Sequence, residues 1–130
     1  MRVGVVGGGQ LGRMLALAGH PLGITCTTLD PNASSPAAQV GPAIVGGYGD
    51  LEALDRLARG SDVATYEFEN VPVDAARFLA SRVPVRPGPD SLEAAQDRLA
   101  EKSLFKEVGL SVPRFAAVHD LGSLQAAIDR

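Results

Sequence analysis

The run Val3-Gly4-Val5-Val6 leads through Gly7-Gly8-Gly9 into the apolar stretch Leu11-Gly12-Arg13-Met14-Leu15, and nothing else in the chain limits the fold as tightly. A buried strand that turns through glycines into a helix is the opening of a βαβ unit. Gly7, Gly9 and Gly12 satisfy the G-x-G-x-x-G spacing, in which the glycines serve a tight turn, close backbone approach and close packing of helix on strand. The backbone N–H groups after Gly9 and the positive end of the helix dipole are expected to form an anion site. Taken alone, the motif admits a dinucleotide, another phosphate ligand or a structural turn. Asp30 keeps the dinucleotide alternative open, because it closes the next strand-like run, residues 24–29, where a ribose-binding acid would sit.

The rest of the chain continues the alternation. Residues 2–6, 24–29, 43–45, 62–69 and 83–85 read as strands, residues 11–18 and 51–59 as helices, and a further short helix carries Ala75, Ala76, Phe78 and Leu79. Asp50 is placed to cap the helix carrying Leu51, Leu54, Leu57 and Ala58, which Gly60 ends. Short apolar strands alternating with helices predict an α/β fold, a Rossmann-like doubly wound and mostly parallel sheet. After Pro87-Gly88-Pro89 the composition shifts, and residues 91–108 read as a helix whose apolar side drifts, so that it meets two neighbours or breaks between them. Asp120 is expected to start one more helix. The organisation expected is a first domain over residues 1–90, and a linker helix with the start of a second domain over residues 91–130.

With 45% hydrophobic residues in 130, the chain has the material for a core. Twelve basic against fifteen acidic residues leave a net charge of −3 without a basic block, which does not favour nucleic acid as a partner. No apolar run reaches the roughly 20 residues of a membrane span, and the glycine loop begins too soon after Met1 for a signal peptide, so cytoplasm is the expected location. Cys26 sits in a β-branched run and reads as a core thiol. His20 and His119 have no metal-ligand spacing around them.

Two charged segments carry possible chemistry. Glu67 and Glu69 stand two apart at the end of a strand-like run and are expected to share one face, with Asn70 beyond. Carboxylates at that edge of a parallel sheet suit an amine or a ribose hydroxyl; a solvated strand end is the plainer alternative. In Gln96-Asp97-Arg98-Leu99-Ala100-Glu101-Lys102, arginine and lysine lie one helical turn apart, either pairing with Asp97 and Glu101 or reaching a phosphate.

Four blocks in this order, Gly7 through Leu15, Leu29-Asp30-Pro31, Thr65 through Pro72, and Gln96 through Lys102, strongly resemble the 5-(carboxyamino)imidazole ribonucleotide synthase family of ATP-grasp ligases in purine biosynthesis. The Gln10-Leu11 pair and Glu67-Phe68-Glu69-Asn70 are far more restrictive than the glycine spacing. The resemblance implies a preATP-grasp domain that binds 5-aminoimidazole ribonucleotide and no dinucleotide. It also implies ATP-dependent ligation of bicarbonate to the ribonucleotide amine through carboxyphosphate, with magnesium, in a cytoplasmic homodimer. By position it assigns Gly8, Gly9, Gln10, Leu11 and Glu67 to the ribonucleotide and Arg98 to ATP. The family's ATP lid and magnesium acids lie beyond residue 130, so no catalytic or metal-binding residue is expected in this chain and the chain alone is expected to be inactive. Two other classes remain at this point: an NAD(P)-binding oxidoreductase domain, favoured by the glycine loop and Asp30, and a non-catalytic dimerisation module.

Overall fold

The computed structural model describes residues 1–129. Its chain forms two compact units, Met1–Glu93 and a second from Ala94 onward.

The first unit is built on four parallel strands, β1 (Arg2–Val6), β2 (Thr25–Asp30), β3 (Ala43–Val45) and β4 (Val63–Tyr66), in the order β3-β2-β1-β4. Val5 of β1 lies opposite Thr28 of β2 on one side and Thr65 of β4 on the other. The alternation of side chains along β1 sorts the two faces. Val6 joins Leu29 and Ala64 beneath helices α2 (Leu51–Arg59) and α3 (Val73–Ala80), where Leu54, Leu57 and Leu79 are fully buried. Val5 and Cys26 face the other way, onto Ala16 of helix α1 (Gln10–Gly19). The thicker core therefore lies on one face, and α1 covers the other, joined by Ile24 and Val40.

Local sequence explains the ends of these elements. The Asp50 carboxylate accepts from the Glu52 and Ala53 amides at 3.0 and 3.2 Å and so starts α2. At the opposite edge, Asp62 accepts from both the backbone and the guanidinium of Arg2 at 2.8 Å, tying the start of β1 to the start of β4. Val83-Pro84-Val85, expected as a strand, contributes only an isolated bridge between Val85 and Ala64; Pro84 has no N–H to extend a ladder. Helix α4 (Pro89–Gln96) buries Leu92 in the main core.

The helical stretch expected over residues 91–108, with its drifting apolar side, breaks into two helices, the second of the two alternatives that its pattern left open. Asp97 leaves helical geometry and caps α5 (Arg98–Glu107), its carboxylate accepting from the Ala100 amide at 2.7 Å. In α6 (Leu121–Ile128), Asp120 and Ser123 form a reciprocal capping box. None of the described residues from Ala94 onward is buried. No helix among the described residues is long and apolar enough to cross a membrane.

Candidate functional site

The sheet order places β2 and β4 on opposite sides of β1, with the first crossover helix, α1, on one face and α2 on the other. The crevice at the carboxyl ends of β1 and β4 is thus a topological switch point, the usual place for a ligand in an open parallel sheet. Here the chain fills much of that crevice with its own carboxylate.

Strand β4 stops at Tyr66, before either member of the acidic pair and three residues short of Glu69. This corrects the expectation that Glu67 and Glu69 extend from a strand onto one face. Glu67 instead turns under the glycine loop: its Oε1 accepts from the Gly9 amide at 2.7 Å and its Oε2 from the Gly12 amide. Glu69 is exposed. The glycines are shaped for this approach. Gly7 has φ +109, a conformation that L side chains avoid, and a Cβ there would collide with the Glu67 side chain. A Cβ on Gly12 would stand 2.8 Å from the Gly7 carbonyl and 3.0 Å from Glu67 Oε2. The spacing that elsewhere admits a pyrophosphate admits a carboxylate of the same chain here.

Electrostatics agrees with this arrangement. Helix α1 has no acidic residue in its first turn, and its N-cap, Gly9, offers no side chain. Glu67 brings the missing negative charge from the turn after β4, an interaction worth about 0.3–1 kcal/mol at an exposed helix end and up to about 2 when partly buried. The expectation of free N–H groups awaiting phosphate is therefore corrected at Gly9 and Gly12.

Asp30 completes the frame. Its Oδ2 accepts from the Gly8 amide at 2.9 Å and from the Tyr48 hydroxyl at 2.9 Å, while Oδ1 accepts from the Asn32 amide at 2.8 Å. Only 9% of Asp30 is exposed. Three donors of the chain itself already hold this carboxylate, which gives it a structural role apart from any ribose. Tyr48 is held further by Phe68, ring centroids 5.2 Å apart and 65° between planes. Burial, the bond to Asp30, and the charges of Asp30 and Glu67 push the Tyr48 phenol up to about 12. Sequence reading missed Tyr48, because a tyrosine among Gly46-Gly47 and Gly49 carries no motif; only its position after β3, on the same sheet edge as the glycine loop, pointed there.

Beside this frame, Leu11, Met14, Leu15 and Ala18 of α1 face Thr65, Tyr66 and Glu67 across a groove of about 540 Å³. The structure thus gathers Gly8, Gly9, Leu11 and Glu67 at one place, with Gln10 exposed at the start of α1. Arg98 lies in the second unit, on the first turn of α5, its guanidinium ion-paired with Glu101 and 72% exposed. It lines a groove of about 480 Å³ with Asp97, Lys102, Phe115 and His119, and the ammonium groups of Lys102 and Lys106 stand 5.4 and 4.5 Å from the Phe115 ring centre. Asp30 and Glu67 turn their oxygens to backbone amides of the glycine loop and of Asn32, with no third ligand grouped beside them for magnesium among the described residues. Among the described residues, no three His, Cys, Asp or Glu side chains are grouped to hold a metal ion.

Residues 1–96 match the family model of the ribonucleotide synthetase preATP-grasp domain. The chain is 50% identical, over 98% of its length, to N5-carboxyaminoimidazole ribonucleotide synthase of Pseudomonas aeruginosa and covers 35% of that protein. The crystal structure of the Thermus thermophilus synthetase superimposes with a TM-score of 0.91 at 50% identity, over 98% of this chain and 35% of that one. A third relative, the synthase of Aspergillus clavatus in complex with ADP and 5-aminoimidazole ribonucleotide, gives 0.87 at 31% identity over the same shares. The chain spans about a third of the length of these relatives and matches their N-terminal part. The α/β architecture, the glycine loop and these similarities together establish that the chain belongs to the ribonucleotide synthetase preATP-grasp family.

Proposed function

We propose that this chain is the N-terminal, ribonucleotide-binding part of an ATP-dependent carbon–nitrogen ligase that carboxylates 5-aminoimidazole ribonucleotide in purine biosynthesis. The observation that carries the reading is the 50% identity to an N5-carboxyaminoimidazole ribonucleotide synthase across nearly the whole chain. Gly8, Gly9, Gln10, Leu11 and Glu67 are the residues assigned to the ribonucleotide, and their gathering at the switch point supports the assignment. Arg98 is assigned to ATP. Its charge suits a phosphate, and Glu101, one turn away, is the partner it would exchange for one.

In the complete enzyme, ATP phosphorylates bicarbonate to carboxyphosphate, releasing ADP; the ribonucleotide amine then attacks the carboxyl carbon and phosphate leaves. This chain's contribution is to bind and orient. Glu67 fixes the backbone of the loop through Gly9 and Gly12, and the outer lone pairs of its carboxylate remain acceptors for an amine or hydroxyl donor. Magnesium belongs with ATP, on acids outside this chain. A cytoplasmic homodimer is the assembly that the resemblance implies for the complete protein.

The test is ADP release by the full-length protein, assayed with each of ribonucleotide and bicarbonate left out in turn. Release that needs both is the expected result, with none from the 130-residue chain alone. Release indifferent to the ribonucleotide, or reduction of NAD in its place, would overturn the reading.

A further inference from the structure

Tyr48 stands where three loops of the carboxyl edge meet. It follows β3, its hydroxyl donates to Asp30 at the end of β2, and its ring packs on Phe68 after β4. Asp30 in turn accepts from Gly8, the middle glycine of the loop after β1. The chain of contacts runs Phe68, Tyr48, Asp30, Gly8, and every member belongs to the first unit. A buried carboxylate with three donors is oriented by all of them. If the phenol is removed, Asp30 keeps the two loop amides, Gly8 and Asn32, and loses the one donor anchored by a packed ring.

We propose that Tyr48 is a positioning residue for the ribonucleotide loop: through Asp30 it sets the backbone at Gly8, and with it the presentation of Gln10 and Leu11 to the ligand. The proposal rests on the ribonucleotide reading given above for its functional consequence, while the mechanical link to Gly8 stands apart from it. Tyr48 itself touches no part of the proposed ligand path. Its effect belongs in ribonucleotide affinity and not in ATP affinity.

Tyr48→Phe tests this, because the ring and its contact with Phe68 are kept and only the hydroxyl goes. In the full-length protein the KM for the ribonucleotide is expected to rise about 5- to 20-fold, with kcat and the KM for ATP within about twofold, and Tyr48→Leu to give no smaller a rise; the lower end corresponds to losing one hydrogen bond of about 1 kcal/mol. In the same protein the Gly8 amide is expected to exchange faster by at least the same factor. Two further outcomes overturn the proposal: unchanged Gly8 exchange, which removes the link, and faster Gly8 exchange with an unchanged ribonucleotide KM, which removes its role in binding. A full-length wild type without ribonucleotide-dependent turnover refutes the ribonucleotide reading instead, and with it this role of Tyr48, while Gly8 exchange still decides the mechanical link. A spectroscopic control follows the phenol itself. In a Tyr66→Phe background, Tyr48 is expected to titrate near 12 and to fall toward the ordinary tyrosine value in Asp30→Asn; an unchanged titration contradicts the hydroxyl–carboxylate bond.

Discussion

The glycine loop and the first turn of α5 carry the residues proposed for the two ligands, and they are built in opposite ways. Around the loop, a buried Asp30 and a half-buried Glu67 hold the amides of Gly8, Gly9 and Gly12, above a core in which Leu54, Leu57 and Leu79 are fully buried. On α5 no residue is buried, and Arg98 is held by Glu101 from its own helix. The loop's shape is therefore a property of the first unit's interior. Arg98 is steered only by a neighbour one turn away, and its side chain is available to exchange partners.

The largest expected difference between the two regions is in stability. Leu57→Ala removes a fully buried side chain beneath the sheet and should cost about 2–5 kcal/mol in urea unfolding of the 130-residue chain. Leu104→Ala on α5, 41% exposed, should cost less than about 1 kcal/mol. Equal losses would erase the contrast.

Glu67→Gln sharpens it at the loop. The amide can keep one acceptor but turns an NH2 toward a backbone N–H, so about 1.5–3 kcal/mol of stability should be lost. In the full-length protein, ribonucleotide binding should weaken by a comparable amount while the apparent affinity for ATP changes far less. Glu69→Gln is the control and should leave both within about 0.5 kcal/mol. If Glu69→Gln abolishes ribonucleotide turnover and Glu67→Gln does not, the wrong acid of the pair has been assigned.

Arg98→Ala should change the stability of the chain by no more than about 0.5 kcal/mol, since an exposed i,i+3 ion pair contributes little. In the full-length protein the same change should raise the KM for ATP and leave that for the ribonucleotide nearly unchanged. A large loss of stability would show that Arg98 is structural.

The smallest expected effect lies at the opposite end of the sheet. The side-chain and backbone hydrogen bonds from Arg2 hold the Asp62 carboxyl below the usual carboxylate range. A depressed folded-state value means that the stabilisation is present above the unfolded value, near pH 4, and fades as pH falls through the folded one. Thermal melts of wild type and Asp62→Asn should therefore differ slightly at pH 7 and converge toward pH 2. A gap that widens on acidification would reverse the sign of the linkage.

Much of this was legible in the sequence, for reasons that differ between elements. The strand around Val5 announced itself as an apolar run and the one around Leu29 as a β-branched run, both suited to a buried parallel sheet. Asp50 and Asp120 marked helix starts through their side-chain oxygens. The four blocks pointed to the family, and the match over residues 1–96 agrees. Glu67 was marked as functional while its geometry was misread: strand periodicity continues through Glu69 in the sequence, but β4 ends at Tyr66, where the pull of the α1 amides outweighs extension of the strand. The sequence left Asp30 open for a related reason. Its distance from the glycine loop is the same whether it faces a ribose or the Gly8 amide, and only the fold brings Tyr48 onto it.

Everything turns on whether the loop amides are occupied by the chain's own carboxylates. The direct measurement is an NMR titration of the 130-residue chain with inorganic phosphate and with NAD, following the Gly9 and Gly12 amide resonances. The account predicts that neither resonance moves appreciably up to millimolar ligand, and that both move in Glu67→Ala once the carboxylate is gone. Saturating shifts of Gly9 and Gly12 in the wild type at micromolar NAD, an affinity of about −8 kcal/mol, would contradict it.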